Sequence, residues 1–390
     1  FPRTLRRGII DPRIAMEFVS AAPPKRPALY FVNRYIDWAV IGGVSVLYFV
    51  VIQFFLKTGS SETSQYFHTR QSWGIDLAIL LSWVINWPHF SATNYRLYHS
   101  KRTMAQYPFT AFVVPLLVLA ATWASFAYPT AVAPFFVKLF LIWSPYHFSG
   151  QSVGITMIYA RRAGFQVGKL ERFALSGFIF GTYIYMTARS EAGRGDWSYY
   201  SVAVPFLGIP VAVAEYVKYG MYGCGALLLI LVIRWSIVRR RILPPIVLLP
   251  AAAQFIWFVP GGVIGTFNEF VPMFHSLQYL LIAWSMQVKE RVDETGAVPT
   301  GGFVFGESAR WFIINVAGGA ILFYILPELT ARAGWPSGLT YPILLSAVQI
   351  HHFFVDGVIW KLKNPKVSSP LLVNIPDLLR ADARPARAPA

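Results

Sequence analysis

Five histidines lie inside long apolar stretches of the chain: His89, His147, His275, His351 and His352. A polar ring at bilayer depth is costly unless neighbours take up its nitrogens, so such residues face a bundle interior and mark a site. Imidazole nitrogen suits zinc, copper, iron and nickel. Only one cysteine is present, Cys224, inside an apolar run. It can build neither a disulfide nor a thiolate cluster within the chain, and it reads as a small helix-packing residue. No H-E-x-x-H pattern of a hydrolytic zinc site occurs. Several histidines with a carboxylate and no thiolate fit non-haem iron best and copper second. Haem or a chlorophyll-type pigment also takes helix histidines.

The surroundings of these histidines repeat. The chain reads Trp87-Pro88-His89-Phe90-Ser91-Ala92, then Pro145-Tyr146-His147-Phe148-Ser149-Gly150, then Pro272-Met273-Phe274-His275-Ser276. Proline frees a carbonyl one turn earlier and bends a helix, and a polar group just after the bend can line a cavity. Helical spacing supplies partners. Gln349, His352 and Asp356 are three and four apart and share one face, whereas His351 points about 100° away. Asp356 can ligate a metal or orient His352 through its ring N–H. Gln151 follows His147 by one turn, and Asn268, His275 and Gln278 form a stripe. The expected metal ligands are therefore drawn from His89, His147, His275, His351, His352 and Asp356. Gln151, Gln278 and Gln349 are expected to hydrogen-bond around them.

The elements that must carry these residues are membrane helices. Charged residues make up 13% of the chain against about 25% in soluble domains, and apolar runs near the length of a bilayer span recur throughout. The runs are 35–56, 73–95, 108–127, 134–159, 172–188, 220–238, 243–260, 267–288, 309–327 and 341–361. The reading is all-α, a polytopic transmembrane bundle of about ten spans. Residues 201–217 are apolar but hold Pro205 and Pro210, and are expected to re-enter or lie on the outer face. The Gly-Gly pairs at 261–262 and 301–302 read as turns, and that at 318–319 as close helix packing.

The net charge of +16 is placed by topology and not by nucleic acid, for which no motif occurs. Arg96, Lys101 and Arg102, then Arg161, Arg162, Lys169 and Arg172, then Arg239, Arg240 and Arg241, then Lys289 and Arg291 fall in alternate loops. The positive-inside rule then puts both ends in the cytoplasm, and the expected location is a bacterial inner membrane. On that topology the helices bearing His89, His147, His275 and His352 all run the same way, and their depths allow one common layer. Residues 1–30 form a basic tail without the pattern of a signal peptide. Residues 31–363 are the helical domain, and 364–390 are a Pro/Ala/Arg-rich tail expected to be extended and to pack on the cytoplasmic face or a partner.

His-Phe-Ser-Gly at 147–150 and His-His-Phe-Phe-Val-Asp at 351–356 resemble in style the bacterial carotenoid-cleaving dioxygenases, over less than a tenth of the chain. That resemblance implies iron held by helix histidines and an apolar substrate, and it assigns no individual ligand. The first functional expectation is a membrane-embedded metalloprotein, an oxidoreductase or oxygenase taking an apolar small molecule from the bilayer. The second is an accessory subunit of a bioenergetic or photosynthetic complex, bound to other membrane subunits, with histidines holding haem or pigment or merely packing. The third is a transporter, for which an inverted repeat is missing.

Overall fold

A computed structural model describes residues 28–53, 74, 76–192, 197–360 and 374–380. The basic stretch 1–27, His68 and most of the C-terminal tail lie outside the described residues. The helices are α1 (Arg34–Val51), α2 (Trp87–Tyr98), α3 (Phe109–Ala127), α4 (Ala133–Ala163) and α5 (Lys169–Ser190). After a hairpin of β1 (Ser198–Tyr199) and β2 (Val202–Ala203) come α6 (Val211–Arg239), α7 (Leu249–Phe258), α8 (Val271–Thr295), α9 (Gly301–Arg332), α10 (Ser337–Ile359) and α11 (Ile375–Arg380). The chain is all-α apart from the hairpin, and each predicted apolar run carries one of α1–α10.

Among the described residues, α1, α3, α6, α9 and α10 are long and apolar enough to cross a membrane. Their burial separates rim from centre. The apolar window of α6 is 17% buried and that of α10 56%. The other central helices, α2, α4 and α8, are less apolar because they spend side chains on one another. α7 has 10 residues, too few to span a bilayer core alone; the tight turns Pro245–Val247 and Gly261–Val263 flank it.

Prolines widen three of the helices, whereas Pro145 sits inside α4 without a wide turn and the wide turn Ala39–Gly43 of α1 has no proline after it. Three wide turns, Ser82–Asn86, Phe109–Val113 and Ile321–Ile325, each end two residues before a proline: Pro88, Pro115 and Pro327. A proline ring collides with the carbonyl four residues earlier. Those carbonyls belong to Val84, Ala111 and Phe323, the middle residue of each wide turn. Widening the turn relieves the collision without breaking the helix. The first of these turns leads directly into His89.

Three sequence expectations are corrected. Residues 201–217 do not form a separate re-entrant unit. The hairpin and an extended run reach Pro210, and 211–217 are already the first turns of α6, since proline is tolerated just before a helix but not within it. Gly301 and Gly302 open α9 behind the Thr300 cap instead of making a turn. The described part of the tail is helical: Asn374 donates to the Tyr30 carbonyl at 2.6 Å, and Ile375 packs with Val288 and Val304.

Close approaches explain the small residues. A Cβ on Gly319 would stand 2.6 Å from the Trp87 carbonyl carbon, and one on Gly318 would strike Ser91, so this pair lets α9 lie against α2 as expected. Cys224 packs where a Cβ on Gly177 would meet its sulfur at 2.6 Å.

Candidate metal centre

Four of the five histidines meet. His89 of α2, His147 of α4, His275 of α8 and His352 of α10 each present a ring nitrogen, and these atoms lie within 4.8 Å of one another. The rings close a circuit with centroid separations of 5.1 Å (His89–His275), 5.0 Å (His275–His147), 4.8 Å (His147–His352) and 4.5 Å (His352–His89). The layer is walled by phenylalanines that follow the histidines in sequence. Phe148 stacks on His275 at 4.0 Å, Phe90 meets His352 at 4.7 Å, and Phe353 meets His147 at 4.9 Å. Each histidine-phenylalanine pair thus sends its histidine to the centre and its ring onto a neighbouring helix's histidine.

One turn further along each helix lies a second tier: Thr93, Gln151, Tyr279 and Asp356. The Thr93 hydroxyl donates to Asp356 Oδ1 at 3.0 Å and lies 2.7 Å from the Tyr279 hydroxyl. Tyr279 and Trp360 Nε1 reach the same Oδ1 at 3.4 and 3.1 Å. Gln151 reaches α8 in the same tier. Because residues four later in sequence meet on the same side of the histidine layer, α2, α4, α8 and α10 run in one direction.

Thr93 and Trp360 donate to Oδ1 of Asp356, with the Tyr279 proton shared between Thr93 and that oxygen, and Oδ2 is turned to the histidines, 3.4 Å from His352 Nε2 and 3.6 Å from His147 Nε2. Those two nitrogens are 3.1 Å apart. Neighbouring donors on one ion, each about 2.1 Å from it, stand roughly 3.0–3.6 Å apart, so all three separations suit a shared cation. The tautomer of His89 agrees. Its Nδ1 is 2.9 Å from Ser276 Oγ, whose single proton has acceptors in the Pro272 carbonyl and Asn86 Oδ1 at 2.8 and 2.9 Å. Nδ1–H of His89 therefore donates to Ser276, and Nε2 keeps its lone pair for the centre.

Ten buried side-chain polar atoms lack a hydrogen-bond partner among the described residues. Four belong to this layer: His89 Nε2, both nitrogens of His275 and His352 Nδ1. Of the others, Gln254 and Trp257 share α7, Trp311 and Asn315 share α9, and Ser152 and Thr340 stand alone. A buried unpaired polar group costs about 1–3 kcal/mol, and an ion held beside His352 Nε2 would take up two of these four atoms, His89 Nε2 and one nitrogen of His275.

The remaining candidates stand elsewhere. His351 is turned out of the layer by the helical rotation already noted, and its Nε2 is 3.2 Å from the Tyr98 hydroxyl. Gln278 donates to the Ile41 carbonyl at 2.5 Å and accepts from Gln151 at 3.2 Å, tying α1, α8 and α4 together behind the histidines. Gln349 shares the face of His352 but has no hydrogen bond among the described residues. Asn268 is not on the stripe of His275; it lies in the separate turn Gly265–Asn268 and donates to the Gly262 carbonyl at 3.2 Å. Sequence reading missed Ser276, Thr93, Tyr279 and Trp360. The last three follow His89, His275 and Asp356 by one turn, a signal that was present.

A cavity of about 320 Å³ adjoins the layer, enclosed by α4, α8 and α10, with His147, Gln151, Tyr279 and Asp356 in its lining. Its rim residues Tyr146 and Gly150 are exposed midway along α4 and Gly357 near the C-terminal end of α10, so it opens on the flank of α4. Comparison of the chain with protein-family models, with curated proteins and with solved structures gave no match.

Proposed function

We propose that the protein is a membrane-embedded metalloprotein of oxidoreductase type, holding one non-haem iron, with copper as the second choice of metal. His89, His147, His275 and His352 supply the nitrogens, and Asp356 joins them as a fifth ligand or an acceptor beside them. The observation that carries this reading is the meeting of four imidazoles from four co-directional helices, with nitrogens left unpartnered, next to a cavity on the bundle flank. The bound metal would supply redox chemistry on oxygen. The chain's own residues would fix its surroundings. Ser276 sets the tautomer of His89, Thr93, Tyr279 and Trp360 aim the Asp356 carboxylate, and the phenylalanine wall excludes water. An apolar substrate would reach the cavity from the bilayer.

Haem or chlorophyll is the weaker occupant. A macrocycle needs an open plane around its axial ligand, and four rings facing one another within 5.1 Å fill that plane. The same reading takes α1–α10 as ten crossings of a bacterial inner membrane, with the turns flanking α7 completing its crossing, and the alternation of basic loops supports both ends being cytoplasmic.

Metal analysis of the purified protein tests the proposal. One metal ion per chain is expected in the wild type and in His351→Ala, and a loss of most of it in His147→Ala and His352→Ala. No stoichiometric metal in the wild type would overturn it.

A further inference from the structure

We propose that the cavity beside the histidine layer binds an apolar chain carrying a hydroxyl, and that Gln151 Oε1 accepts that hydroxyl's proton. A chain of amides fixes the orientation of Gln151. The Ile41 carbonyl can only accept, so Gln278 must turn its Nε2 to α1, where the contact is 2.5 Å. Gln278 Oε1 is left facing α4 and takes one N–H of Gln151 at 3.2 Å. The His275 carbonyl, again an acceptor only, is reached by the Gln151 amide nitrogen at 2.9 Å. Both donors of Gln151 are thereby committed to α8. Its Oε1 has no partner among the described residues, and the side chain lines the cavity.

Among the other buried or half-buried polar groups of the lining, Trp143 Nε1 and His147 Nδ1 have no hydrogen bond among the described residues, and the rest are engaged. Trp360 and Tyr279 are bonded to Asp356 Oδ1, and Asp356 Oδ2 faces the histidines. Gln151 thus offers one uncommitted acceptor, a turn from His147. A site built around such an acceptor favours a ligand that donates to it over one that cannot. A cation would exchange water for one neutral oxygen, which is too little to offset its desolvation; a neutral hydroxyl exchanges one hydrogen bond for another.

The shape of the cavity sets the rest of the ligand. Its wall on α4 runs from Trp143 to Ile158, about 22 Å at roughly 1.5 Å per residue. A Cβ added at Gly150, Gly154 or Gly357 meets nothing within 4 Å, so the missing side chains make the groove. An extended chain lying there with its hydroxyl at Gln151 would bring carbons a turn away to the edge formed by His147 and Asp356. The inference deepens the metal-centre reading, which supplies its chemistry, but the binding itself needs no metal.

The test uses full-length protein, stripped of metal by chelation, in phosphatidylcholine nanodiscs. A hexadecanol bearing a mid-chain diazirine is photolysed, and labelled peptides are mapped. Labels are expected within 143–158 and 353–360, with 1-hexadecanol competing about fivefold better than hexadecane, as one net hydrogen bond allows. Gln151→Leu should keep the labels and lose that preference. Gly154→Phe, whose added ring enters open space, should abolish the labels without lowering the thermal midpoint. Equal competition by hexadecane in the wild type, or unchanged labels in Gly154→Phe, would overturn the inference. Absence of metal from the native protein would overturn the metal centre alone and leave this result standing.

Discussion

Asp37 and His275 are both fully enclosed, yet their polar atoms are treated in opposite ways. Both carboxylate oxygens of Asp37 are used: Oδ2 accepts from Phe31 N–H at 2.6 Å and the Tyr159 hydroxyl at 2.7 Å, and Oδ1 accepts from Val32 N–H at 2.9 Å. Arg162 beside it donates to the Ala28 carbonyl at 3.0 Å and lies 3.8 Å over the Phe31 ring. Both nitrogens of His275 have no hydrogen-bond partner among the described residues. A satisfied buried network pins its segment and asks for nothing more. An unsatisfied one leaves donors and acceptors that a further group could use, which the proposed ion would do.

The contrast can be broken by mutation. Asp37→Ala leaves two backbone N–H groups and the Tyr159 hydroxyl without their acceptor. It should destabilise the protein by about 3 kcal/mol, read as a lower thermal midpoint in detergent, with metal per folded chain unchanged. Metal loss there would mean that the two clusters act as one. Ser276→Ala removes the acceptor that orients His89, and should weaken metal binding about 10–100-fold in a competition titration with a chelator. An unaltered affinity would show that the tautomer of His89 is set some other way.

His351→Phe removes only the contact with Tyr98. A stability loss of about 1 kcal/mol and full metal content are expected, marking His351 as packing. His275→Phe gives the smallest change in metal-free stability and the sharpest reversal of the Asp37 result. It replaces two unpaired nitrogens with an apolar ring of similar shape, so the metal-free variant should match or exceed metal-free wild type in thermal midpoint. A fall comparable to that of Asp37→Ala would show that His275 is bonded after all.

Much of this was visible beforehand in the spacing of residues. Helical periodicity turned His351 away from His352 and put Asp356 behind it, because 100° per residue is fixed by the backbone hydrogen bond and not by context. The wide turns ahead of Pro88, Pro115 and Pro327 follow from ring sterics as local as that. Asp37 was passed over because a single acid near the start of an apolar run looks like an interfacial charge. Only the return of Tyr159, 122 residues later, makes it a buried anchor. Gln254 is similar: it sits in an apolar run, and its partners Ser149, Ile179 and Thr182 come from two other helices. Gln349, by contrast, stood on the right face and found no partner, since a face tells direction and not who occupies the other side.

Sequence alone determined that this chain is helical and apolar, that its histidines sit at interior depth, and which neighbours share their faces. Those properties depend on composition and on a repeat of a few residues. That His89, His147, His275 and His352 point at one another, and that an open groove runs beside them, were decided only by the tertiary structure. Convergence depends on how far each helix is shifted and turned about its axis. Those two quantities are set by bends at prolines, by close approaches at glycines and by contacts between residues far apart in sequence, such as Thr93 and Asp356, 263 positions apart.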